Sequence, residues 1–204
     1  VPTLDNFVTG RNVELLAALR QVAGGAADAR AVYLWGEKGS GKSHLLRAMA
    51  AQAAGGDARY AERAVPEAAG VVAVDDVEAL DDAAQIALFE LYNRMREQGG
   101  LLLVSGTQAP AHLSLRDDLR TRLGWGLVYQ LHALSDEEKA EALRQHAGAR
   151  GFDLPPEVTQ YLLRHGRRDL PSLLQVLDAL DEHCLRLKRV ASVPLLKEVM
   201  AWTG

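Results

Sequence analysis

Residues Tyr33 to Leu46 read YLWGEKGSGKSHLL, an apolar run, a glycine-rich octet and the start of a helical pattern. The octet GEKGSGKS fits GxxxxGK[ST] through Gly36, Gly41, Lys42 and Ser43. It follows a predicted strand and opens a predicted helix, the context in which this P-loop spacing has a physical use. Glycines let the backbone curl so that successive N–H groups and the helix N-terminus converge on phosphate oxygens. Lys42 would bring charge to the β- and γ-phosphates, and Ser43 a hydroxyl to Mg²⁺. Lys38, Gly39, Ser40 and His44 belong to the same run and join the candidate nucleotide contacts.

The surrounding pattern predicts an α/β core. VELLAALRQVA (Val13 to Ala23) has helical spacing and meets a stop at Gly24-Gly25. The helix opened at Lys42 runs through SHLLRAMAAQAA to a second stop at Gly55-Gly56. ARYAE reads as a weak strand, GVVAVDD (Gly70 to Asp76) as a strong one, and LLLVSG as another buried one. Between the last two, DDAAQIALFELYNRMREQGG (Asp81 to Gly100) predicts a helix with an acidic start and a glycine end. Apolar strands alternating with helices predict a parallel five-stranded sheet between helices, its last strand GLVYQL (Gly126 to Leu131). Beyond it, SDEEKAEALRQHAGARG, PPEVTQYLLRHG and DLPSLLQVLDALDEHCLRLKR predict a small three-helix domain. The expected domains are therefore 1-132, the nucleotide-binding core, and 133-204, the helical appendage. A chain of 204 residues with 48% hydrophobic content can bury cores of that size.

Composition narrows the partners. A net charge of -4 supplies no global positive field, so direct nucleic-acid binding is expected to be weak or absent. The basic cluster RHGRRD (Arg164 to Asp169) is the one local exception. Cys184 is the single cysteine, which excludes an internal disulfide and thiolate zinc sites. No apolar run approaches a membrane span and VPTLDNFVTG lacks the features of a signal peptide, so a cytoplasmic location is expected.

VVAVDD ends its strand in Asp75 and Asp76, at the sheet edge where such folds gather ligands. In a P-loop protein the first acid holds the metal, directly or through water, and the second orients or deprotonates the attacking water. Ser43 and Asp75 are thus the candidate metal residues.

A P-loop, a strand ending in two acids, a strand ending VSGTQAP and a three-helix appendage resemble an AAA+ ATPase module with its lid. LDNFVTGRNVEL and VAVDDVEAL are similar to segments of the DnaA family, and YLWGEKGSGKSHLL, LFELYNRMREQG, RLGWGLVYQL and LSDEEKAEAL resemble its Hda branch of regulatory inactivators. The resemblance implies bound ADP or ATP with Mg²⁺, Phe7 and Val8 packed against the base, and Thr107 in the sensor position that feels the γ-phosphate. It also implies that Arg122, in RTRLGWG, is an arginine finger reaching a neighbouring subunit's site. Implied partners are DnaA and the DNA polymerase sliding clamp, with a homodimer left open.

Four departures bear on function. Pro171 stands where the lid usually carries a second sensing arginine, with Arg167 or Arg168 as the replacements on offer, which makes weak intrinsic ATPase activity the expectation. Tyr60 to Gly70 is too short for the helices that stack initiators on single-stranded DNA. No helix-turn-helix domain is expected within these residues, and no clamp-binding segment of the Hda kind is seen at Val1. Three readings follow: a regulator that promotes hydrolysis of DnaA-bound ATP, a DnaA-like ATPase or loader acting on DNA, and a non-hydrolytic nucleotide-dependent adaptor.

Overall fold

The computed structural model describes residues 1–25, 28–52, 57–67 and 69–203. It divides into two compact units, Val1–Ala133 and Leu134–Gly204. The first holds helix α1 (Val13–Ala23), strand β1 (Ala31–Trp35), α2 (Lys42–Ala51), β2 (Ala58–Glu62), β3 (Val71–Asp75), α3 (Asp82–Gln98), β4 (Leu101–Gly106), α4 (Asp117–Leu123) and β5 (Leu127–Gln130). The strands form one sheet in the order β2-β3-β4-β1-β5. Every pairing is parallel, as the alternation of strands and helices predicted.

Side chains alternate across the sheet because successive residues of a strand face opposite ways. Tyr33, Val72, Val74, Leu102 and Val104 bury one face beneath Leu88, Leu91, Tyr92 and Met95 of α3 and Leu119 and Leu123 of α4. Val32, Leu34, Ala73 and Leu103 bury the other beneath Leu15, Leu16 and Leu19 of α1 and Leu45, Leu46 and Met49 of α2. With both faces covered, the central strands read as continuous apolar runs. Gly55-Gly56, the expected stop after α2, lies outside the described residues.

A long-range polar clasp adds to this packing. Asn12 is 3% exposed, and its side chain both donates to the His132 carbonyl (2.9 Å) and accepts from the His132 N–H (2.8 Å). It ties the entry of α1 to the chain just after β5.

The second unit contains α5 (Asp136–Ala149), α6 (Pro156–His165), α7 (Leu170–Leu187) and α8 (Val193–Thr203). Ser135 and Glu138 form a capping box at the start of α5, and Asp169 caps α7 by accepting from the Ser172 N–H. Leu143, Val158, Leu162, Leu173, Leu177, Leu180, Leu195, Leu196 and Val199 form the core. The sequence pattern accounted for three of these helices, and the structure adds a fourth. LLKEVMAWTG reads as a tail because only its short stripe Leu195, Leu196 and Val199 is apolar and buried. Among the described residues no helix is long and apolar enough to cross a membrane.

Replacing Asn12 with Ala strands a half-buried N–H and carbonyl at His132. We expect the first unit to lose about 2–3 kcal/mol, read as a lower urea midpoint at unchanged slope.

Candidate functional site

β1 delivers the chain to Gly36 at the carboxyl edge of the sheet. There the Gly36 N–H donates to the Gly106 carbonyl at 3.2 Å. A β-carbon at Gly36 would collide with the Leu131 carbonyl oxygen, so only glycine permits this approach. Gly41 caps α2 at φ +106°, and a β-carbon there would also sit 2.7 Å from the Phe7 ring. The loop therefore ends in a left-handed turn that points the free N–H groups of α2 toward the space above it.

Lys42 is the first residue of α2 and is 6% exposed. Its ammonium donates to the carbonyls of Gly36 (2.7 Å) and Glu37 (2.9 Å). Burial lowers its pKa, while the carboxylates of Asp75, Asp76 and Glu78 pull it back up. Ser40 presents a buried hydroxyl oxygen that has no hydrogen-bond partner among the described residues. A lysine, an orphan hydroxyl and a helix N-terminus around a loop that excludes side chains together fit a phosphate group. Ser43 is half-buried in the same first turn, while Lys38 and Gly39 are exposed at the loop's crest. Phe7 lies edge-on to His44 with ring centroids 5.4 Å apart, and His44 Nε2 is 2.9 Å from the Thr3 carbonyl oxygen. The N-terminal segment containing Phe7 and the half-buried Val8 is thereby held against the loop.

The acids end the neighbouring strand. Asp75 is 1% exposed and accepts from the Ser105 hydroxyl on one oxygen and from Tyr60 (2.8 Å) on the other. The Ser105 oxygen in turn accepts from the Asp76 N–H at 3.2 Å. Asp76 adopts φ 56° as the chain turns away from β3, and its carboxylate pairs with Arg63 at 3.4 Å. Glu78 accepts from both the N–H and the hydroxyl of Thr107, the latter at 2.7 Å. Sequence reasoning singled out Asp75, Asp76 and Thr107 but not Tyr60, Arg63, Glu78 or Ser105. Ser105 left a trace as the polar residue inside LLLVSG. Glu78 left none, since its partner lies 29 residues away.

Arg122 occupies the opposite edge of the sheet. It sits in the last turn of α4, which reaches β5 through Gly124, Trp125 and Gly126. A β-carbon on Gly126 would strike the Ala31 carbonyl oxygen, which places this turn at the start of β1, whereas the phosphate loop leaves its end. Five strand residues separate the two ends, roughly 16 Å at about 3.3 Å per residue. Among the described residues Arg122 makes no ion pair, and its buried Nε has no hydrogen-bond acceptor. Its guanidinium carbon instead lies 3.9 Å from the Trp125 ring centroid and 5.5 Å from that of Phe89. Arg116 and Arg120, on the same segment, are paired to Asp118 (3.0 Å) and Asp117 (2.6 Å). Electrostatic partnering thus separates three arginines that the sequence alone leaves equivalent.

Arg168 and Pro171 belong to the second unit. Arg168 is exposed in the turn before α7, and Pro171 is the second residue of that helix.

Comparison with known proteins gives two family-model matches. Residues 136–200 match "Hda, lid domain", and residues 2–60 match "Bacterial DnaA ATPAse domain". Among solved structures, the fold is similar to domain III of the Thermotoga maritima replication initiation protein DnaA (19% identity, TM-score 0.79, 98% of this chain and 95% of that one). It is also similar to AMPPCP-bound DnaA from Aquifex aeolicus (18%, 0.73, 92% and 69%). The RuvB Holliday junction branch migration motor of Thermotoga maritima shares the fold (18%, 0.72, 98% and 72%).

The acidic edge carries a pH signature. Burial foremost, then the hydrogen bond to Asp75, raises the Tyr60 pKa to about 12 from its ordinary 10.0. Burial and the charge of Glu78 raise Tyr33 as well. A raised pKa means the folded state keeps the phenol proton that the unfolded chain releases, so stability is lost as pH climbs from about 10 through 12. Denaturant titrations across that window should show a shallower fall for Tyr60→Phe than for wild type.

Proposed function

We propose that this chain, which matches the lid domain of Hda over residues 136–200 and the ATPase domain of bacterial DnaA over residues 2–60, is a DnaA-like AAA+ protein that binds adenine nucleotide and promotes hydrolysis of ATP held by DnaA, together with the sliding clamp. One observation carries the reading: a guanidinium that has no counter-ion among the described residues stands at the sheet edge away from its own phosphate loop. Some 16 Å of strand lie between the two ends, so Arg122 serves a neighbour's phosphates rather than its own.

On this reading the chain's own site holds ADP or ATP through the free N–H groups of the loop and of the first turn of α2, with Lys42 and Ser40 toward the phosphates and Phe7 and Val8 toward the base. Ser43 and Asp75 would hold Mg²⁺, Asp75 being kept in place by the hydroxyls of Tyr60 and Ser105. The metal supplies charge neutralisation on the phosphate oxygens. Asp76 is the candidate base, its carboxylate paired with Arg63 at 3.4 Å. Thr107, held by Glu78, faces the γ-phosphate position as the sensor. With Pro171 supplying no charge and Arg168 the remaining lid candidate, intrinsic turnover is weak, and the nucleotide mainly sets the shape that docks on DnaA. The finger itself acts late, offsetting charge on the transferring phosphoryl group in the neighbour, an effect worth roughly 10³ to 10⁵ in rate.

Arg122→Ala should abolish stimulated hydrolysis of DnaA-bound ATP in an assay with DNA-loaded clamp, while nucleotide binding by this chain persists. Lys42→Ala should instead lose that nucleotide binding. Retained stimulation by Arg122→Ala would favour the adaptor reading, and strong DNA-stimulated turnover by the isolated protein the ATPase or loader reading.

A further inference from the structure

We infer that Trp125 is a positioning residue for Arg122, presenting the guanidinium by its face so that its N–H edge stays free for an anion on another protein. The inference rests on Arg122 being the residue lent to a neighbour. A cation on a helix end has two ways to be held in one orientation. A carboxylate does so by occupying the donors, as Asp118 does for Arg116 and Asp117 for Arg120. An aromatic ring does so through its π face and leaves the planar fork of donors unspent. Arg122 is held in the second way, its carbon 3.9 Å from the Trp125 centroid, with Phe89 behind at 5.5 Å. Glu97 lines the same cavity of about 560 Å³, along with Asn93 and Arg96, yet it forms no ion pair with Arg122.

Trp125 has no better explanation as a packing residue. It is 55% exposed and stands outside the buried clusters of the first unit. Its backbone is nevertheless tightly placed: the Trp125 N–H donates to the carbonyl of Arg122 itself at 3.1 Å, and the next residue, Gly126, abuts β1 with no room for a side chain. The indole is thus an exposed ring on an anchored backbone, three residues from the charge it supports. Arg96 also faces the ring, at 5.4 Å, so a second cation reinforces the positive character of this concavity. Phe89 alone cannot replace the indole, since it is farther away and its π face is the weaker cation partner.

The test compares Trp125→Leu, Trp125→Phe and Trp125→Tyr with Arg122→Ala, measuring stimulated hydrolysis of DnaA-bound ATP over a range of concentrations of this protein. Trp125→Leu should lower the maximal stimulated rate about tenfold or more, with the half-saturating concentration little changed. Tyr and Phe should restore most of the rate, and adding Trp125→Leu to Arg122→Ala should cost nothing further. A Trp125→Leu protein with wild-type maximal rate, a loss confined to half-saturation, or no rescue by either aromatic overturns the inference. So does an additive double variant. Tryptophan emission of the isolated protein gives a readout independent of DnaA. Arg122→Ala should change the emission, because Trp125 is the indole that Arg122 covers, and an unchanged spectrum also overturns the inference. If Arg122→Ala changes the emission but retains full stimulation, the stack exists and the proposed function is what fails.

Discussion

Hydrogen bonding of β1 to β4 on one side and to β5 on the other makes that strand the strut on which the molecule's chemistry hangs. Its carboxyl end releases the chain into Gly36 and the phosphate loop. Its amino end backs the Gly124-Trp125-Gly126 turn that follows Arg122. A parallel strand paired on both edges cannot slide without reversing which side chains reach each core, because Val32 and Leu34 face α1 and α2 while Tyr33 faces α3 and α4. The distance between the glycine-rich loop and Arg122 is therefore set by backbone hydrogen bonds. Close approaches at both ends, Gly36 to Leu131 and Gly126 to Ala31, lock the two turns to the same strut.

The carboxyl edge shows how burial and charge are balanced around a loop built for anions. Lys42 loses solvation in its cradle, and three nearby carboxylates compensate. Those carboxylates are in turn satisfied by different partners: Asp75 by two hydroxyls, Asp76 by Arg63 and Glu78 by Thr107. The acid that is most buried, Asp75, is held by neutral donors. The half-buried Asp76 is paired to a cation, and the exposed Glu78 is held by the donors of Thr107.

At the amino edge the logic is reversed. Two of the three arginines near α4 are neutralised by aspartates, and exposed pairs of that kind contribute little stability but do fix side-chain directions. The third is left to aromatic faces. Stacking holds the Arg122 guanidinium in place without occupying its donors.

Much of this was legible in the residues. Strand and helix order followed from apolar spacing, and the phosphate loop and the acid pair from motif spacing. The starts of α5 and α7 were foreshadowed by Ser135 with Glu138 and by Asp169, because such signals act within a few residues of one another. The fourth helix of the second unit escaped because its apolar stripe is short and is stabilised by a core assembled from other helices. Partnerships across long sequence separations escaped for a related reason: Asn12 with His132, Tyr60 and Ser105 with Asp75, and Glu78 with Thr107. The sequence by itself determined which backbone shapes were available and where an anion could be cradled. Only the tertiary structure decided which charges were neutralised and which were left exposed, since that depends on side chains brought together by the sheet, not on their order along the chain.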